Sequence, residues 1–169
     1  MAVQTSLTQG KGASPLFLRE AEIRRGIELL YFGYSHLTRA VDEPLAIQGL
    51  GRAHHRALYF IARQPGLSVS DLLKLLAITK QSLGRVVNDL SARGLIESAP
   101  SRIDRRQKLI RLTNAGVELE ASLFDALREK LAIAYGKAGQ SAVSGFWQVL
   151  EGLIPDDEIA RVIALQRGD

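Results

Sequence analysis

The sequence predicts a mainly α fold: a helix-turn-helix, one small β-hairpin after it, and long helices towards both ends. Three observations carry this. Apolar residues recur at three- and four-residue intervals over most of the 169 positions, the mark of amphipathic helices. One stretch alone, 95–112, changes that period into two short extended segments around a polar, turn-prone octet. Just before it, two helical patterns are separated only by a tight turn at Ile78.

Residues 1–14 are polar, hold two glycines and are expected to form a flexible arm. They lack the apolar run of a signal peptide. Pro15 opens a long helix whose stripe is Ile23, Ile27, Leu30, Tyr31, Tyr34, Leu37 and Val41, and Pro44 is expected to end or kink it. A second helix is expected over 51–63, with Ala53, Ala57, Leu58 and Ile61 on one face and Pro65-Gly66 as its stop. Ser68 is an N-cap with Asp71 three residues on, opening a short helix of Leu72, Leu73, Leu75 and Leu76. Thr79 caps the next helix, which runs to Ala92 or Arg93, and Gly94 sits where a left-handed residue belongs.

Residues 95–99 and 108–112 then read as a hairpin with a charged tip, expected to be the only β-structure and to lean on its neighbours. Thr113-Asn114 caps a second long helix with Leu119, Leu123, Leu127 and Leu131 or Ala134 along its stripe; Gly136 and Gly139 are expected to interrupt it. A last helical region carries Val143, Phe146, Trp147, Leu150, Leu153, Ile154, Ile159, Val162 and Ile163.

Composition narrows the function classes. The chain has no cysteine, which excludes disulfides, thiolate catalysis and cysteine-ligated metal. No apolar run approaches the roughly 18 residues needed to span a bilayer, and the chain reads as cytoplasmic. The net charge of +4 is mild, but its placement is uneven. Residues 79–111 hold eight basic and three acidic side chains, a net +5, which leaves −1 for the rest. A polyanionic partner requires such a concentration of cations, because each neutralised phosphate releases counterions.

The charge lies on the second helix of the pair and on the hairpin. Leu83, Val86, Val87 and Leu90 share one face of that helix, suited to burial. The opposite face carries Lys80, Gln81, Gly84, Arg85 and Asn88. Gln and Asn pair with adenine edges and Arg with guanine in a major groove, Lys suits phosphate, and Gly84 allows close approach. A hairpin beside such a helix reaches the next groove, where an Arg senses the potential of a narrow minor groove. Ser68, Thr79, Ser82, Arg102, Asp104, Arg105, Arg106 and Lys108 complete the expected DNA-binding set. The plainer alternative is a solvated basic face. Against it stands the coincidence of tight turn, groove-compatible side chains, adjacent Arg-rich hairpin and focused charge.

The runs 78–83 (Ile-Thr-Lys-Gln-Ser-Leu), 93–96 (Arg-Gly-Leu-Ile), Asp104-Arg105-Arg106 and 110–116 (Ile-Arg-Leu-Thr-Asn-Ala-Gly), with Leu90 between, resemble the MarR family of bacterial regulators. The order of elements over about residues 16–165 matches as well. The resemblance implies a winged helix-turn-helix with long terminal dimerisation helices and one small β-hairpin wing. It implies an arm at 1–14, an N-terminal dimerisation helix at 15–50, a DNA-binding region at 51–113 and C-terminal dimerisation helices at 114–169. It further implies a homodimer reading a palindromic site, with Arg106 of the wing in the minor groove and Asp104 orienting the wing through an ion pair. Arg105 and Arg106 can exchange the groove and phosphate roles. Redox-sensing members use a cysteine, which this chain lacks.

Many members are repressors released by a small ligand, and Tyr31, Tyr34, His36, Arg39 and His55 are the residues that could line an effector cleft; packing and hydrogen bonding alone would also account for them. Wide apolar faces at both ends of the chain, Leu16, Phe17, Ile23 and Ile27 at one and Phe146, Trp147, Val162 and Ile163 at the other, suit either internal burial or a dimer, and the resemblance favours the dimer. His36, His54 and His55 could ligate a metal or haem, but adjacent His54 and His55 diverge on a helix, and no cofactor is expected. An enzyme would need a nucleophile with a placed base, paired carboxylates or a phosphate loop, and none is found. A protein-interaction module on the same fold remains the rival, distinguished by an absence of duplex binding at low salt.

Overall fold

The structure, a computed structural model, describes residues 14–101, 103–105 and 107–166. The described residues divide into two compact units, one ending at His36 and one beginning at Leu37.

The first unit contains a short 3-10 turn, Pro15–Leu18, and most of helix α1 (Glu20–Thr38). Ser14 caps the 3-10 turn through its hydroxyl. Leu16, Phe17, Ile23, Ile27, Tyr31, Phe32 and Tyr34 are all exposed.

The second unit holds the core. Helix α2 (Asp42–Ile47) follows a 3-10 turn at Arg39–Val41. The long helix thus ends at Thr38, and Pro44 lies inside the first turn of α2 instead of breaking α1. The amides of a first turn have no intrahelical partner, so a proline there sacrifices no hydrogen bond. Helix α3 (Arg52–Arg63), strand β1 (Leu67–Ser68), helix α4 (Val69–Leu76) and helix α5 (Lys80–Ala92) come next. Ser68 caps α4, its Oγ accepting from the Asp71 amide at 3.1 Å. Ala77 closes α4 in the left-handed region (φ 49°), and the Arg56 guanidinium donates to the Leu76 carbonyl at 2.8 Å.

Strands β2 (Ile96–Pro100) and β3 (Lys108–Leu112) form the expected hairpin, with Ile96 opposite Leu112 and Pro100 opposite Lys108. The hairpin is not the only β-structure, however. β1 pairs antiparallel with β3, Leu67 against Ile110 and Ser68 against Leu109, so the sheet has three strands in the order β1-β3-β2. This third strand fixes the hairpin to the head of α4. Ile110, on the middle strand, is fully buried.

Helix α6 (Asn114–Ala138) runs unbroken through Gly136 and stops at Gly139, where φ is +80°. A glycine costs a helix interior about 1 kcal/mol, too little to interrupt 25 residues. Helices α7 (Gln140–Glu151) and α8 (Asp156–Gln166) follow. The core is one cluster joining α2 to α6 and the sheet, with Val41, Leu45, Leu58, Ile61, Leu72, Leu76, Leu83, Leu90, Ile110 and Leu123 almost wholly buried. The Arg63 guanidinium, on α3, donates to the Leu165 carbonyl in the last turn of α8 at 2.7 Å.

Candidate nucleic-acid interface

Helix α5 is divided cleanly between two environments. Leu83, Val86 and Leu90 are buried, and Val87 is half-buried. Lys80, Gln81, Ser82, Gly84, Arg85 and Asn88 are exposed. A Cβ built on Gly84 would meet nothing within 4 Å, so the backbone is open to an incoming surface there. The helix begins at Thr79, whose Oγ1 accepts from the Ser82 amide at 3.1 Å while its hydroxyl donates to Ser82 Oγ at 2.9 Å. Its N-terminal end, where amide dipoles attract anions, therefore carries Lys80 and Gln81 outward.

At its other end, Gly94 takes the left-handed conformation (φ +67°) and Leu95 N–H returns to the Leu90 carbonyl at 3.0 Å. Thr113 ties this turn to α6, donating from Oγ1 to the Gly94 carbonyl at 2.6 Å and from its amide to the Leu95 carbonyl at 3.1 Å.

The loop joining β2 and β3 turns around Ser101, which is buried although its position in a polar tip gave no hint of it. Ser101 Oγ accepts from the Ile103 amide at 3.2 Å and the Asp104 amide at 3.4 Å, and Ser101 N–H donates to the Gln107 carbonyl at 2.9 Å. These bonds hold Ile103, Asp104 and Arg105 outward, all exposed, with Lys108 exposed at the start of β3. Arg102 and Arg106 lie outside the described residues.

Two expected members of the set stand differently. Ser68 is only 8% exposed, and its hydroxyl is engaged by the Asp71 amide and, at 2.7 Å, by Asp71 Oδ2. Its side chain holds the start of α4. That hydrogen bond, together with Lys74, keeps the Asp71 carboxyl below its ordinary pKa. Thr79 is exposed, but its hydroxyl is committed to the cap of α5.

The effector expectation spans both units. Tyr31, Tyr34 and His36 are exposed on α1 in the first unit. Arg39 is exposed and His55 buried in the second, where burial lowers the His55 pKa and favours the neutral ring. Among the described residues, no group of three or more His, Asp or Glu is placed to hold a metal ion. Among them, too, no helix is long and apolar enough to cross a membrane.

A family model described as MarR family matches residues 48–107. Over 143 residues the chain is 45% identical to the HTH-type transcriptional regulator PetP of Rhodobacter capsulatus, a match covering 85% of this chain and 86% of PetP. The chain belongs to the MarR family. Members of the MarR family are transcriptional regulators, not enzymes. The fold agrees with solved MarR structures. A mutant MarR from E. coli complexed with operator DNA superposes with a TM-score of 0.63 at 22% identity, covering 84% of this chain and 100% of that one. BpsR of Bordetella bronchiseptica, whose DNA binding is regulated by 6-hydroxynicotinic acid, gives 0.61 at 21% identity, covering 76% and 98%. The MarR match runs from the turn before α3 through α5 and β2 to the end of the wing loop and stops short of β3, so it contains α5 and Arg105 but not Lys108.

Proposed function

We propose that this MarR family member is a repressor that binds a palindromic operator as a cytoplasmic homodimer, with α5 in the major groove and the β2–β3 wing at the adjacent minor groove. The observation that supports it is the division of α5: three buried aliphatic anchors on one face, and Lys80, Gln81, Ser82, Arg85 and Asn88 exposed on the other. Gln81, Arg85 and Asn88 read base edges. Lys80, Arg105 and Lys108 meet phosphates. Arg106 enters the minor groove with Asp104 orienting it, and Arg102 adds charge to the same loop. Ser68 and Thr79 act by capping the two helices. The domain division follows: residues 51–113 bind DNA, while 15–50 and 114–169 supply the dimer contacts, where Phe146, Trp147 and Leu153 stand exposed.

Selection of duplexes from a random pool tests this reading. A palindromic consensus, with half-sites about 34 Å apart, is the expected result. Failure to enrich any duplex at 50 mM salt would favour a protein-interaction role instead. Release by a small effector belongs to the same proposal, supported by the likeness to BpsR. A thermal-shift screen of small aromatic acids tests it. A hit whose shift disappears on replacing Tyr31, Tyr34, His36, Arg39 or His55 supports the expected residues; a hit indifferent to all five variants removes them.

A further inference from the structure

Gln81, Arg85 and Asp89 of α5 and its C-cap residue Arg93 recur at four-residue spacing and form one slanted row along the helix. All four are exposed, and the first two are free for reading. The last two grip a single turn, residues 48–51, which joins α2 to α3. Arg93 does so directly: Nε donates to the Gln48 carbonyl and a terminal nitrogen to the Gly49 carbonyl, each at 3.2 Å, while the other terminal nitrogen returns to the Asp89 carbonyl at 3.2 Å. Asp89 does so through His54. His54 Nδ1 accepts the Gly51 amide at 3.1 Å, which leaves the proton on Nε2 to face Asp89 Oδ2 at 3.2 Å. Gly49 is fitted to this contact, since φ is +64° and an added Cβ would stand 3.2 Å from the Arg93 guanidinium.

We infer that Arg93, with the His54–Asp89 bridge, is a positioning clamp that sets the rotation of the recognition helix and so the fidelity of operator reading. Arg93 is a basic residue of the charged segment, yet its guanidinium is directed at carbonyls instead of DNA. A side-chain tip lies about 6 Å from a helix axis, so a rotation of roughly 10° displaces Gln81 and Arg85 by about 1 Å. Bidentate base contacts fail at that displacement, whereas phosphate contacts tolerate it. Loss of the clamp therefore erodes specificity before it erodes affinity for DNA in general. The inference rests on the proposed DNA-reading role of α5.

The test uses the full-length chain with R93K, which keeps the charge and loses the planar fork, and G49A, which alters the other side of the contact without touching any charge. Affinity is measured for the selected operator and for unrelated duplex, well below the melting temperature. Both variants should lose about tenfold on the operator and less than about twofold on unrelated duplex. Amide exchange without DNA should quicken at Gly51 and in the last turn of α5. Unchanged operator affinity in both variants would overturn the clamp. So would an R93A variant whose salt slope falls by about one while R93K behaves as the parent, since Arg93 would then be a phosphate contact. Should the parent chain bind no duplex, the DNA reading itself fails, and the clamp is judged by amide exchange alone: unchanged exchange in R93K and G49A refutes it.

Discussion

Replacing Gly116 by alanine should destabilise the protein, although the same change inside a helix ordinarily stabilises it by about 1 kcal/mol. Gly116 lies buried in the first turn of α6, its amide donating to the Thr113 cap at 3.1 Å. A Cβ at this position would fall inside the contact shell of the Leu95 carbonyl oxygen, 3.0 Å from its carbon and 3.3 Å from Leu112 Cβ. Those neighbours are backbone and a strand residue, so no flexible side chain can yield. Relief requires α6 to move away from residues 94–95, which breaks the Thr113 amide bond to Leu95, the Thr113 hydroxyl bond to Gly94 and the cap itself. At about 1 kcal/mol each, these outweigh the gain in propensity and leave a net loss of about 2 kcal/mol. For a chain of this size that corresponds to a fall of about 4–8 °C in Tm. Thermal melts at one fixed protein concentration measure it, with G136A as the control. Gly136 lies in the same helix with nothing within 4 Å of an added Cβ, and its substitution should raise Tm. A G116A protein as stable as G136A would refute the steric argument.

Three further outcomes follow from the same geometry. Arg105→Ala should lower the slope of log K against log salt by about one for each contact removed and leave sequence preference intact, whereas Gln81→Ala should relax preference at one operator position at a cost of about 1–3 kcal/mol; binding isotherms at several salt concentrations separate the two. Thr79→Ala should cost about 1 kcal/mol of stability by removing the cap of α5, read as a lower urea midpoint at unchanged m, and no shift would mean the cap is dispensable. His55 is held neutral by burial, so the unfolded chain takes up the proton first as pH falls; the stability it allows is present above about 6.5 and declines below it. Denaturation midpoints at pH 7.5 and 5.5 should therefore differ less in a His55→Gln variant than in the parent, and an equal difference would assign the decline to other groups.

Much of the head was legible because its signals are local. Ser68, Thr79 and Thr113 each cap the helix expected of them, and Gly94 adopts its left-handed turn. The buried and exposed faces of α5 follow directly from helical period. What escaped was set by distant partners. Two residues, Leu67 and Ser68, are too few to show strand alternation, and only β3 makes them a strand. Pro44 carries the same local signal whether it ends one helix or begins another, and the choice fell to the 3-10 turn at Arg39–Val41 before it. Ser101 looked like one more polar loop residue, whereas two amides and a closing backbone bond make it the pivot of the wing.

The charge count shows the same boundary between local and distant causes. It located a cationic surface, since Lys80, Arg85, Arg105 and Lys108 all stand exposed on α5 and the β2–β3 hairpin. It could not divide cations that meet a partner from cations that hold the scaffold. Arg56 satisfies the last carbonyl of α4, Arg63 a carbonyl in the last turn of α8, and Arg93 the turn before α3. Each neutralises backbone acceptors that would otherwise lack partners at a helix end or turn. A guanidinium suits both tasks because its planar fork donates several bonds at fixed angles. A net charge of +5 over residues 79–111 is therefore an upper bound on what that segment offers to DNA. The salt dependence of binding should follow Lys80, Arg85, Arg105 and Lys108 and ignore Arg93, which is exposed but has its guanidinium bonded to backbone carbonyls.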